Sequence, residues 1–214
     1  MTLTLVIDSS LAACQAGVFR NNLALATRSE AMLRGQQESL GPMVADVLAE
    51  AGCGPRDLGH IGVTLGPGSF TGMRIGLSFA KGLATGLGLK LQGVGTLAAL
   101  GHHPDLTGRA TLSAIDGGRG RIYVQYADEA AQSLARDELA EWLATRPVEV
   151  LTGPAADLIR PFLPGIPVLD QPWPSLDALA ELTLGGGHDD VTPLYMGDAD
   201  AVASTRGMIS LNEA

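Results

Sequence analysis

Leu3-Thr4-Leu5-Val6-Ile7-Asp8 and Thr111-Leu112-Ser113-Ala114-Ile115-Asp116 follow one pattern: a mostly apolar run of strand length that ends on an aspartate. After the first come Ser9-Ser10 and a second strand pattern, Ala13 to Phe19. After the second come Gly117-Gly118-Arg119-Gly120 and a return strand, Ile122 to Tyr126. Strand, aspartate, turn, strand, met twice, predicts two related α/β halves with a boundary near residue 103. The division is 1–103 and 104–214, the second half smaller and degenerate. From Gly197 onward the sequence has little periodicity.

Around these anchors the elements alternate. Asn21-Asn22 is a hairpin turn between the second strand and Leu23 to Thr27. Leu40, Met43, Val44, Val47, Leu48 and Ala51 recur at helical spacing, with Pro42 in the first turn and Gly52 at the end. Ile61 to Leu65 reads as a buried strand, residues 72–88 as a helix, Leu91 to Val94 as a strand and Thr96 to Leu100 as a helix. In the second half, Leu134 to Leu143 and Leu176 to Leu184 read as helices.

Composition narrows the class. The chain has 214 residues, 46% of them hydrophobic and 17% charged, which excludes a disordered chain. The net charge of −9 is uneven: residues 1–100 carry seven basic and six acidic groups, residues 101–214 seven and seventeen. With no basic run, tight nucleic-acid binding by this chain alone is not expected. Two cysteines, Cys14 and Cys53, make no disulfide framework. Neither a signal peptide nor an apolar run of membrane-spanning length is present, so a cytoplasmic protein is expected.

The densest motif is Leu65-Gly66-Pro67-Gly68-Ser69-Phe70-Thr71-Gly72-Met73-Arg74-Ile75-Gly76, a strand feeding a glycine-rich turn and a helix. Ser69 or Thr71 can cap that helix, and its N-terminus can hold an anion. Yet GxxxxGK[ST], GxGxxG and GxSxG all fail here. Gly66, Gly68, Ser69 and Thr71, with Asp8 and Asp116, are therefore candidates for a phosphate loop or for tight turns. Inside the helix, Gly72, Gly76, Ala80, Ala84 and Gly88 form a stripe of small residues, flanked by the ridge Ile75, Phe79 and Leu83. Glycine inside a helix costs about 1 kcal/mol relative to alanine, so the repetition demands a close neighbour. That neighbour is either the helix at 40–51 or another chain. Metal-ligand and nucleophile spacings are missing: no HxxxH occurs, and Ser69 has no basic partner nearby.

These residues carry a resemblance. Gly66 to Gly76, with Ala80-Lys81-Gly82-Leu83-Ala84, resembles the TsaB (YeaZ) family. So do Ile7-Asp8-Ser9-Ser10, Gly93 to Leu100, the Asp116 turn with Arg119-Gly120 and Ile122-Tyr123, and Pro193-Leu194-Tyr195-Met196. The resemblance implies an actin-like ATPase (ASKHA, ribonuclease H-like) fold of two βββαβα-type halves. It implies a non-catalytic partner of TsaD in making N6-threonylcarbamoyladenosine at position 37 of tRNAs that read codons starting with A. TsaC supplies the threonylcarbamoyl-adenylate, TsaE is the associated ATPase, and tRNA is met only through the complex. Pairing with TsaD is implied through the helices at 38–51 and 72–88, with Leu40, Met43, Val44, Val47, Gly72, Ile75, Gly76, Phe79, Ala80 and Leu83 as interface residues. The same surface would make a homodimer when TsaD is absent. No metal and no cofactor are expected on the chain alone; ATP or ADP has its place at the junction with TsaD. Where relatives carry His-Ser-Glu, this chain has Gln36-Gln37-Glu38, against a metal and against the superfamily's glycoprotease label. The alternative is a small actin-fold kinase that uses Asp8 and Asp116 around ATP and Mg²⁺.

Overall fold

A computed structural model describes residues 2–196; the aperiodic stretch from Gly197 lies outside them. The first half is one mixed sheet of β1 (Leu3–Asp8), β2 (Ala13–Arg20), β3 (Leu23–Ala31), β4 (Leu58–Gly66) and β5 (Leu91–Gly95). Its order is β3-β2-β1-β4-β5. β1, β2 and β3 run antiparallel as a meander, while β4 and β5 run parallel to β1. The parallel steps need crossovers, and α1 (Gln36–Glu50) and α2 (Phe70–Leu87) lie in the connections. Central β1 is buried along its whole length, in keeping with a run that is apolar except for Thr4 and the closing Asp8. Its alternate residues Leu3, Leu5 and Ile7 share one core with α1 and α2.

α3 (Thr96–Gly101) links the halves. The second sheet holds β6 (Thr111–Gly118), β7 (Arg121–Tyr126), β8 (Gln132–Ala135), β9 (Val150–Thr152) and β10 (Val168–Leu169). Its order, β10-β9-β6-β7-β8, is the first sheet's order read from the other end. The two anchor strands β1 and β6 are thus equivalent and central. The second half is the reduced copy: α4 (Leu139–Leu143) and α5 (Ala156–Ile159) stand where the first half has helices of 15 and 18 residues. Late in the chain, α6 (Leu176–Leu184) returns to the first sheet, where Leu176, Leu179 and Ala180 pack with Val6, Phe19 and Val94.

Two expectations are corrected, and two short strands were not read. α1 begins at Gln36, so Pro42 lies inside the helix rather than in its first turn. Leu134 to Leu143 is not one helix: Leu134 is buried in β8, paired with Ile122, and α4 starts only at Leu139. β9 and β10 went unread because three and two residues are too few for a period to show.

Candidate functional site

Asp8 closes β1 fully buried, and its carboxylate accepts four hydrogen bonds. Ser10 donates from its backbone N–H (2.9 Å) and Oγ (2.6 Å), and Thr64 Oγ1 from β4 (2.7 Å), all to Oδ1. Gln15 Nε2 donates to Oδ2 (2.9 Å) and also to the Pro174 carbonyl (3.1 Å). Gln15 therefore ties the end of β1 to the segment that leads into α6. A carboxylate so enclosed is compensated by its donors. Sequence reading missed Gln15, Thr64 and Pro174 because they lie 7, 56 and 166 residues from Asp8.

The glycine loop closes over the same corner. Ser69 N–H donates to the Ser10 carbonyl (2.7 Å), and Ser9 Oγ to the Gly72 carbonyl (2.8 Å). A Cβ at Gly68 would overlap the Ser10 carbonyl oxygen, and one at Gly72 the Ser9 carbonyl oxygen. The concavity that the glycines open is filled by Ser9-Ser10. Gly66 sits at φ +103°, with its Pro67 peptide bond cis. Ser69 caps α2, accepting from Gly72 N–H (3.2 Å), and Thr71 lies exposed in the first turn. Of the two readings of this loop, the geometry favours the tight turn. Asp116 is exposed and accepts from Gly118 N–H (2.8 Å), an Asx-type turn.

The small-residue stripe is turned inward as far as Ala84, and Gly88 is exposed. Gly72, Gly76, Ala80 and Ala84 are buried, and a Cβ on Gly76 would meet Ser9 Oγ and Val63. Within the chain, the close neighbours of Gly72 and Gly76 are the Ser9 turn and Val63 of the sheet rather than α1. Leu40, Met43, Val44 and Val47 likewise fill the core beneath α1. Of the ten interface residues read from the sequence, Leu40, Met43, Val44, Val47, Gly72, Gly76 and Ala80 are buried within this chain, Leu40 at the floor of the groove between α1 and α2. Ile75, Phe79 and Leu83 remain half-buried at the outer face.

That outer face has a feature the sequence reading passed over. Gly82 and Gly86 are exposed, four residues apart, with open space where a Cβ would stand. With Phe79 and Leu83 they line a shallow apolar depression; beside it runs a groove lined by Gln37, Phe70, Arg74, Ile75 and Phe79. At the mouth of the groove the Arg74 guanidinium lies 3.8 Å over the Phe70 ring, and Arg74 Nε donates to Tyr195 Oη (3.0 Å). Phe70 is 53% exposed. Gly82–Gly86 spacing was readable, but which of two interleaved glycine rows faces the sheet is a matter of helix rotation.

Burial pushes the Cys14 thiol up to about 11, with the Asp8 charge adding to it. Native Cys14 is expected to resist iodoacetamide at neutral pH, while half-exposed Cys53 reacts first, read by intact-mass spectrometry. Because the folded pKa exceeds the unfolded value of 9.0, Cys14's contribution to stability is full below pH 9 and lost towards pH 11. Among the described residues, no group of three His, Cys, Asp or Glu is placed to hold a metal ion. No helix among them is long and apolar enough to cross a membrane.

Two sheets of one strand order, joined by α3, define the actin-like ATPase class of fold. YeaZ from Pseudomonas aeruginosa superposes with a TM-score of 0.74 at 23% identity, covering 91% of this chain and 100% of that one. Residues 30–159 match the family model described as TsaD, tRNA N6-adenosine threonylcarbamoyltransferase, and the chain belongs to that family. Within it, the chain is 36% identical over 121 residues to the tRNA threonylcarbamoyladenosine biosynthesis protein TsaB of Escherichia coli (strain K12). It is 33% identical over 149 residues to the TsaB of Bacillus subtilis (strain 168). Those stretches cover 56% and 65% of this chain, and 52% and 63% of the two relatives.

Proposed function

We propose that this chain is a cytoplasmic TsaB-type subunit that pairs with TsaD and supports formation of N6-threonylcarbamoyladenosine in tRNA, without itself carrying the chemistry. The observation that carries this reading is the outer face of α2. Gly82 and Gly86 forgo about 1 kcal/mol each of helix stability, and among the described residues nothing lies within 4 Å of where their Cβ atoms would stand. Beside the apolar Phe79 and Leu83, they suit a second helix that approaches closely. The TsaB names of the relatives support the pathway. Asp8's four donors and the filled glycine loop support a non-catalytic role and leave the kinase alternative without a favouring observation. In this reading TsaE joins the pair, tRNA is reached through the complex, and ATP or ADP binds at the junction with TsaD. The same face makes a homodimer when TsaD is absent.

The experiment is a reconstitution of TsaC, TsaD, TsaE, tRNA, threonine, bicarbonate and ATP with and without the chain, reading modified adenosine. Modification that needs the chain is expected; indifference to it overturns the reading. The surface is tested by Gly82→Leu. Its side chain enters open space, so stability should hold or rise slightly, while affinity for TsaD falls at least about tenfold. Unchanged affinity by calorimetry removes Gly82 from the interface.

A further inference from the structure

The outer face of α2 repeats every seven residues. Thr71, Ser78 and Thr85 form one exposed row and Arg74 and Lys81 a second, while Ile75 with Gly82 and Phe79 with Gly86 fall in step with them. Seven residues return to within about 20° of the same direction on a helix, about 10.5 Å further along. In order round the helix the cations come first, then the hydroxyls, then the glycine–apolar strip beside α1. In a chain of net charge −9, α2 holds two cations and no acid. Among the described residues Lys81 has no ion-pair or hydrogen-bond partner, and Arg74 stays exposed while bonding the neutral Tyr195 hydroxyl. Of the exposed acids of α1, Asp46 and Glu50 are taken by Arg28, which leaves Glu38 in the first turn. We propose, resting on the pairing reading above, that the cation row selects the occupant of this face: a helix of a different chain, with carboxylates about seven residues apart opposite Arg74 and Lys81, in preference to a second copy of this chain.

Period and charge together carry this. A seven-residue period suits a second helix that crosses at about 20° and follows α2 along its length, so one partner helix stays beside both cations. The glycine–apolar strip serves any such helix; the cation row does not. In an antiparallel two-fold pair, each flank of one α2 faces the same flank of its copy, so Arg74 and Lys81 meet Lys81 and Arg74. Like charges so placed oppose association, whereas carboxylates in their place attract and steer the encounter. Self-pairing through the face is thereby weakened rather than abolished, and a partner with an acidic flank displaces it.

The test is Lys81→Glu in the full chain, with circular dichroism as the check on folding. Affinity for TsaD, by calorimetry, should fall about three- to tenfold. Self-association, by sedimentation equilibrium, should rise by a similar factor, because the new carboxylate faces Arg74 of the copy. A disturbed fold or a lost packing contact weakens both associations, so the opposite signs are the signature of charge selection. Raising NaCl from about 50 to about 500 mM should weaken TsaD binding by the parent more than by the variant. Unchanged affinity for TsaD overturns the proposal, as does a fall of both associations together. A parent chain that binds no TsaD refutes the pairing reading instead; tighter self-association of Lys81→Glu then still sustains selection against a second copy, and unchanged self-association overturns that as well.

Discussion

Gly72→Ala should destabilise this protein by about 2–4 kcal/mol, although it adds a single methyl group to a helix that alanine would otherwise favour. The methyl has nowhere to go. It would overlap the Ser9 carbonyl oxygen, which is main chain and held where Ser9 Oγ donates to the Gly72 carbonyl and Ser10 meets Asp8. Relief requires moving α2 off the sheet or moving the Ser9-Ser10 turn, and the turn carries half of Asp8's donors. Gly82→Ala is the control on the same helix: its Cβ meets nothing within 4 Å, and it should gain up to about 1 kcal/mol. Urea titrations followed by circular dichroism measure both. A Gly72→Ala midpoint equal to the parent's would mean that the inward contact of the small-residue stripe is wrong.

Asp8→Ala should cost about 3–5 kcal/mol. The substitution leaves Ser10 N–H, Ser10 Oγ and Thr64 Oγ1 facing a buried gap, and Gln15 Nε2 keeps the Pro174 carbonyl as its one acceptor. Each unpaired buried donor costs about 1–3 kcal/mol, partly relieved where a hydroxyl can turn to a new acceptor. Thr64→Val removes one donor and should cost less alone. In the Asp8→Ala background it should cost less again, because the two share one interaction. On the proposed function, the folded fraction of Asp8→Ala supports tRNA modification at the parent's level. A folded variant inactive in reconstitution would instead put the carboxylate into the chemistry.

Much of the fold was legible because its signals are local. An apolar run ending on aspartate, an Asn-Asn or Gly-rich turn and a 3.6-residue period each lie within about twenty residues, and β1, β2, β6, β7, α2 and α6 stand where they were read. The start of α1 was missed because Gln36 and Gln37 carry no apolar signal, although Gln36 is buried. β8 was taken into a helix because Leu134 and Leu139 are both apolar, and only pairing of Leu134 with Ile122 separates them. Of the site, the residue types were legible and their partners were not: Gln15, Thr64 and Pro174 meet Asp8's corner through the sheet and the return of α6.

By itself, then, the sequence determined the repeated strand–aspartate–turn unit, the α/β class, the positions of the long helices and the motifs that carry the family resemblance. Each follows from the local period, turn chemistry or a contiguous string of residues. Tertiary structure alone decided which way each helix is turned. A stripe of glycine and alanine looks the same in sequence whether it faces a sheet or a partner. Packing settles it, since Gly72 and Gly76 are pressed against Ser9 while Gly82 and Gly86 look into open space. The same holds for Asp8, whose chemistry depends on whether its lone pairs meet solvent or four donors brought together by the fold.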